Sequence, residues 1–459
     1  MLGLLLIAFS THSSEAIAIQ NVTIIEPGKT QVRKNCTVLI SDGIFTEVGE
    51  STNITVPKGS KRIDGKGKFL IPGLWDMHVH WYEESSLGLF TANGVTGVRV
   101  MFGQPKHLGW KRGIDNGTML GPRMKVGSPI VDGKNPMWPD SISLPLNGDA
   151  KSLVSRLKNE GWDFIKTYSY LSKEAYINLA QESKNQGIPF AGHVPIGINP
   201  QEAANLGQAS MEHLDGIWES TWNGEPEYRA TINYGMRSEE ALSLSIDRAS
   251  SSLTSEMTAY DPIRAENLYK TLGKSTMWQC PTLVALRALP KMKDPEFIAD
   301  ERLKYMSPEI RKQWDPKNDM RTQSWIKEDW DFWEWMYQKN LSFVRPLKKS
   351  GSRFLAGTDC LNPYSFPGFS LHDELALLVE AGLTPTEALE AATVNPARFF
   401  GEEKIWGTVS KGKRADAILL DRNPLVDINN TKTIRTVIQN GKVYERAALD
   451  KILSSNIHK

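Results

Sequence analysis

Between residues 71 and 401 short apolar runs alternate with amphipathic stretches, and this alternation limits the possible folds more than any other feature of the chain. Runs at 94–103 (GVTGVRVMFG), 122–131, 163–168 (DFIKTY), 188–195, 209–215, 277–286 and 352–360 read as strands. Helical periodicity at 149–161, 172–187 and 199–207 separates several of them. With the run that ends in IPGLWDMHVH (71–80), the strands number eight. Strands that alternate with helices pair in parallel, so the pattern predicts an α/β fold, a (β/α)8 TIM-type barrel over 71–401. The two ends differ in character. Residues 17–70 and 402–459 carry β-rich runs with turn signals and are expected to join into one small β-sandwich-like domain. A chain of 459 residues can bury both cores.

The formal net charge is +1, which argues against a nucleic-acid partner or an anionic membrane surface. Cys36, Cys280 and Cys360 match no metal or redox spacing and read as buried thiols, with one disulfide as the alternative. The apolar run Leu2–Phe9 is too short to span a bilayer. It is similar to the apolar part of a secretory signal, with Ser14 and Ala16 before a cut, although a basic start is missing. Residues 1–16 therefore suggest export to a periplasm or the exterior if they are a signal, and a cytoplasmic protein otherwise. No other run could cross a membrane. The expected partner is a small-molecule substrate, with a homo-oligomer left open. The Trp-rich stretch at 325–337 reads as packing rather than a binding box.

In a barrel, reactive groups gather at the C-terminal ends of the strands. His78 and His80 end the first strand and, two apart, share one face. Lys166, His193, His213 and Asp359 fall at the ends of the fourth, fifth, sixth and eighth. Each alone has an ordinary reading, a packed histidine or a turn aspartate. A lysine within an apolar strand is harder to explain, because buried lysines are rare unless partnered. Taken together, the six point to a metal site, most simply zinc. Four histidines and one aspartate exceed the needs of one tetrahedral ion with an open position. Two divalent ions fit better, with a fifth group bridging them. Lys166 could serve only if carbamylated, which needs a neutral amine of the kind burial favours.

Tyr168 shares the face of Lys166 and could donate to a developing oxyanion, or simply pack at the rim. Trp81, Tyr82 and Trp138 lie in or near loops at the same mouth and are candidates for a hydrophobic substrate pocket. Glu212, beside His213, is expected to face the helices, since neighbours on a strand point oppositely. His372 reads as a helix cap or surface residue and His107 as a loop residue. Arg99, Arg123 and Arg287 are unranked candidates for gripping a substrate carboxylate.

This set of residues resembles the amidohydrolase superfamily. IPGLWDMHVH is similar to its first-strand pattern of Pro-Gly-hydrophobe-x-Asp-x-His-x-His, and DFIKTY, AGHVP, MEHLD and GTDC resemble its later strands. LHDELALLVEAGLTPTEALEAATVNPARFFG and GTVSKGKRADAILLD resemble its C-terminal helices and sheet. Within the superfamily the chain is most similar to the branch of imidazolonepropionase-like proteins and zinc dipeptidases that cleave before a C-terminal residue such as proline. The resemblance implies that His78 and His80 hold the more buried ion with Asp359, that His193 and His213 hold the more exposed one, and that carbamylated Lys166 bridges. It favours hydrolysis over deamination, because superfamily deaminases usually carry a Glu three residues after the strand-five histidine, where this chain has Ile196. The expected reaction is cleavage of an amide-type C–N bond in a dipeptide such as Xaa-Pro or in an N-acyl amino acid. A hydroxide shared by the two ions would attack, with Asp359 as base and then acid. Cyclic amides, carbamates and ureas are the alternative substrates, with esters and lactones behind them. A non-catalytic member would be expected to have lost ligands, and here all six positions are filled.

Overall fold

The computed structural model describes residues 16–28, 32–80, 83–237 and 260–458. The expected signal segment, apart from Ala16, lies outside the described residues, as do Trp81 and Tyr82.

Both chain ends contribute to one eight-stranded sheet. Strands Ile17–Ile24, Arg33–Ser41, Ile44–Glu50, Lys61–Asp64 and Phe69–Pro72 join Ala417–Leu420, Ile434–Gln439 and Lys442–Glu445. The Asp42-Gly43 turn explains the first hairpin. Both residues take positive φ (51° and 73°), as a two-residue turn matched to strand twist requires. The ends are joined where Phe69–Pro72 runs antiparallel to Ala417–Leu420. Ile44 also bridges Arg414, so the sheet curls around its own core of Val22, Phe45, Leu70, Leu419 and Ile438. The result is one curled sheet instead of the expected sandwich-like pair. Twist turns the edge strand toward the 412–415 backbone, which satisfies its unpaired groups.

Leu74–Val79 follows Pro72 directly and opens a second system of strands. It pairs with Val95–Val100, which pairs with Arg123–Val126. Gly127 then bridges Phe164, next to Ile165–Thr167. Phe190–Gly192, Ser210–Glu212 and Trp278–Cys280 follow in order. Gln279 bridges Phe354, and Cys360 bridges Val79. All these pairings are parallel, and they return to the strand from which they began.

Helices between these strands bury one apolar face, such as Leu153, Val154 and Leu157 on Ala150–Glu160. Their starts are capped by Asp149, Ser172, Asn199 and Asp261, whose side chains accept backbone N–H groups. Close approach makes Gly357 obligatory, because a Cβ there would meet the Cys280 Sγ at 2.5 Å and the His78 Cβ at 2.8 Å. Trp325 packs against Trp330 and Trp333, and Trp335 against Trp218 and Phe332. All three cysteines are buried free thiols. Among the described residues no helix is long and apolar enough to cross a membrane.

Three local expectations are corrected. The strand expected over 277–286 stops at Cys280, Thr282 turns left-handed (φ 50°), and Leu283–Lys291 is a helix. A short apolar run reads alike in either state. His372 is buried inside helix Phe369–Glu380, between Thr431 Oγ1 (2.9 Å) and the carbonyl of Asn93 (3.0 Å). His107 lies in helix Pro105–Asp115, where its Nδ1 accepts the Gln104 N–H at 2.9 Å.

Candidate metal centre

His78 and His80 lie at the end of Leu74–Val79, His193 and His213 just beyond Phe190–Gly192 and Ser210–Glu212, Lys166 within Ile165–Thr167, and Asp359 just before the bridge at Cys360 in a segment that forms only isolated bridges. The structure brings their side chains to one place. His78 Nε2 and His80 Nε2 are 3.1 Å apart. Asp359 Oδ1 lies 3.2 Å from the first and 2.8 Å from the second. Asp359 Oδ2 faces His213 Nδ1 at 3.8 Å. The His213 ring packs on His78 and His193, with centroids 4.8 and 4.7 Å apart. Lys166 is fully buried, and its Nζ has no hydrogen-bond partner.

Three of these four histidines are engaged through Nδ1. His78 Nδ1 lies 2.9 Å from Glu212 Oε2, His193 Nδ1 lies 2.9 Å from Ser169 Oγ, and His213 Nδ1 lies 2.6 Å from Thr282 Oγ1. A ring that donates from Nδ1 keeps Nε2 as a bare lone pair. Burial, joined by the repulsion of neighbouring cations, holds His193 well below the usual imidazole range and His213 at about 3. Burial likewise lowers His80. The rings of His80, His193 and His213 are thus neutral, as metal ligation demands.

The donor set fits a divalent cation. Ligand atoms about 2.0–2.1 Å from a tetrahedral ion lie roughly 3.3 Å from one another. The triangle of His78 Nε2, His80 Nε2 and Asp359 Oδ1 has edges of 2.8–3.2 Å. His78, His213 and Asp359 form a second such grouping. Burial pushes the Lys166 amine down to about 8, against the pull of Glu212 and Asp359.

Glu212 corrects an expectation. It does not face the helices but points inward beneath the centre, fully buried, against His78 and Arg99. The alternation fails because His213 and Leu214 both take φ of 58°, which turns the His213 side chain to the same interior. Asp359 (φ 56°) and Thr282 are also left-handed, so backbone strain gathers at the centre.

Tyr168 stacks on His193 with centroids 4.1 Å apart, and Trp138 Nε1 donates to its hydroxyl oxygen at 2.6 Å. Of the three unranked arginines, Arg99 lies under the centre, Arg123 pairs with Asp416 and Asn440, and Arg287 lies over the Phe297 ring. Arg321 was not singled out. It is held by Asp319, its Nη1 donates to Asn362 Oδ1 at 2.6 Å, and Asn362 Nδ2 donates to the Asp359 carbonyl at 3.0 Å. Although burial works against the Arg321 charge, Asp319 and then Asp359 and Tyr168 strengthen it. Ser169, Thr282, Glu212 and Arg321 are ordinary residues in sequence, and only their partners mark them.

Residues 310–444 match the model of the amidohydrolase family. The chain is 23% identical to an ochratoxinase of Aspergillus niger over 454 residues, covering 91% of this chain and 85% of the relative. Its fold is similar to that of a bottromycin amidohydrolase, with a TM-score of 0.72, 22% identity, and 96% and 89% of the two chains covered. It is also similar to a putative prolidase from Bifidobacterium longum, with a TM-score of 0.66, 20% identity, and 96% and 99% covered. Fold and matches agree in kind with those of amidohydrolases, and the centre gathers groups that could hold a metal ion. The family match covers the C-terminal part of the chain, and the likeness in fold covers nearly all of it.

Proposed function

We propose that the parallel ring is a (β/α)8 barrel over residues 71–401, with 17–70 and 402–459 as the β domain, and that its mouth holds two divalent ions, most simply zinc. The substrate we propose is a dipeptide, such as Xaa-Pro, or an N-acyl amino acid. The observation that carries this reading is the triangle of His78 Nε2, His80 Nε2 and Asp359 Oδ1, three ligand atoms turned toward one another at 2.8–3.2 Å. His78, His80 and Asp359 would hold one ion and His193 and His213 the other. Lys166, buried without a hydrogen-bond partner and with its amine drawn down to about 8, suits a carbamate bridge. Bound ions would supply a water that loses its proton near neutral pH.

The chain's own residues do the rest. Asp359 takes a proton from the attacking water and returns it to the leaving nitrogen, since its carboxylate stands at the centre with one oxygen on each side. Tyr168 keeps its phenolic proton, because burial holds its hydroxyl well above the usual range, and donates a hydrogen bond to the oxygen of the tetrahedral intermediate. Arg321, held by Asp319 and by Asn362 next to the Asp359 turn, is the candidate for meeting a substrate carboxylate. Two of the similar proteins, an ochratoxinase and a putative prolidase, support a reading of this kind.

The test is product release, read by mass spectrometry, from Xaa-Pro and other dipeptides, N-acyl amino acids, aryl carbamates, aryl ureas and lactones. Zinc and bicarbonate are present in one arm and a chelator in the other. The expected result is chelator-sensitive cleavage confined to peptides and N-acyl amino acids. Cleavage of carbamates or ureas alone would overturn the substrate class, and no cleavage by zinc-loaded protein would overturn the hydrolase reading.

A further inference from the structure

The loops that follow His193 and His213 are held from outside the strands by one helix, Glu225–Arg237. Its Arg229 and Asn233, four residues apart, share a face. Arg229 Nη1 donates to the carbonyls of Ile196 and Ile198 at 2.7 and 2.6 Å, and Nη2 donates to the carbonyl of Gly216 at 3.4 Å. Ile196 stands three residues after His193, and Gly216 three after His213. Asn233 Nδ2 adds a bond to the Gly197 carbonyl at 2.9 Å, and the approach is so close that a Cβ on Gly197 would collide with the carboxamide.

The chain leaves Ser210–Glu212 under strain, with φ of 58° at His213 and Leu214 and 75° at Gly216. Residues other than glycine keep such angles only where their surroundings impose them. The same turn serves both imidazoles. Its Asp215 places Oδ2 3.4 Å from His193 Nδ1, and the His193 and His213 rings meet with centroids 4.7 Å apart. A slip of this turn against the 196–198 loop would move one ring relative to the other. Arg229 is built to prevent it. The guanidinium is buried together with Glu225, whose Oε1 accepts from Nε at 2.7 Å. The Ser220 hydroxyl donates to that oxygen at 2.8 Å and accepts from Nη2 at 3.1 Å, while Arg264 donates to the other carboxylate oxygen. A planar fork fixed in this way ties three carbonyls of two loops, which a lysine ammonium on a flexible stem does not.

We propose that Arg229 is a positioning residue for the pair His193 and His213. It fixes the loop after one against the loop after the other, and so sets the spacing at which the two imidazoles receive a metal ion. This inference rests on the two-metal reading above.

Cobalt(II) titration of chelator-stripped protein tests it, because the visible absorption of bound cobalt reports the geometry of its ligands. The wild type is expected to bind two equivalents. Arg229→Met combined with Glu225→Gln removes both buried charges together, so neither is left alone. This double variant should weaken one equivalent by at least about tenfold and alter its spectrum. Arg229→Lys keeps a charge beside Glu225 but loses the fork, and should change the same equivalent in the same direction. Arg123 opens strand Arg123–Val126, at the end away from the centre, where it pairs with Asp416. Arg123→Met is therefore the control for general destabilisation and should bind cobalt as the wild type does. Circular dichroism and thermal melting of the stripped proteins establish that each is folded, and Arg229→Lys decides if the double variant is not. Wild-type affinity and spectrum in a folded Arg229 variant, or the same change in Arg123→Met, would overturn the proposal while leaving the two-metal reading intact. A folded wild type that binds fewer than two equivalents would overturn both.

Discussion

The indole Nε1–H of Trp138 donates to the hydroxyl oxygen of Tyr168 at 2.6 Å, across the mouth of the centre. One lone pair of that oxygen is thereby occupied, and the hydroxyl's own proton remains to be directed elsewhere. The ring is fixed as well, stacked on His193. Tyr168→Phe is expected to lower kcat by about 10²–10³ with metal content unchanged, as loss of an oxyanion donor does. Trp138→Phe should cost less, because it frees the hydroxyl without removing it. Steady-state kinetics at matched metal content decide, and an unchanged kcat in Tyr168→Phe would reduce the ring to packing.

Asp359 is expected to carry the proton. Burial would raise its carboxyl, but His78 and His213 outweigh that and hold it well below the usual range, so it is ionised at neutral pH. Asp359→Asn should lower kcat by about 10²–10⁴. Full activity with metal in place would remove Asp359 from proton transfer.

Lys166 should make activation depend on bicarbonate. With its amine at about 8, about a tenth is neutral at pH 7, against well under a thousandth for an ordinary lysine. Stripped protein given zinc should regain activity faster with bicarbonate than without, and the rate should rise with pH as the amine loses its proton. Lys166→Gln should show no bicarbonate response. Equal recovery of the wild type in both buffers would count against a carbamate.

Arg321→Gln should raise KM about 10–100-fold for substrates with a free carboxylate and leave amidated analogues unaffected. Equal effects on both would show that Arg321 supports the loop instead of the substrate.

His372 ties stability to pH. Burial lowers it to about 4, while the unfolded chain's histidine titrates near 6.5. Between these values the unfolded state binds a proton that the folded state does not. Stability should therefore fall as pH drops from 6.5 to 4, by up to about 3 kcal/mol, with no contribution from this group above 6.5. Urea unfolding at pH 7.5 and 5 should show the loss in the wild type and a smaller one in His372→Gln.

The sequence by itself determined the strand–helix alternation and the positions of His78, His80, Lys166, His193, His213 and Asp359. Both follow from local periodicity, since residues two apart on a strand share a face and apolar runs mark what is buried. Tertiary structure alone decided which way Glu212 points, because strand alternation assumes extended backbone and His213 leaves it for the left-handed region. It also supplied the partners that orient the histidine rings. Glu212 lies 134 residues from His78, and Thr282 lies 69 from His213. No local pattern spans such distances. Packing of separate strands around one interior brings these groups together, and low polarity there makes each bond strong.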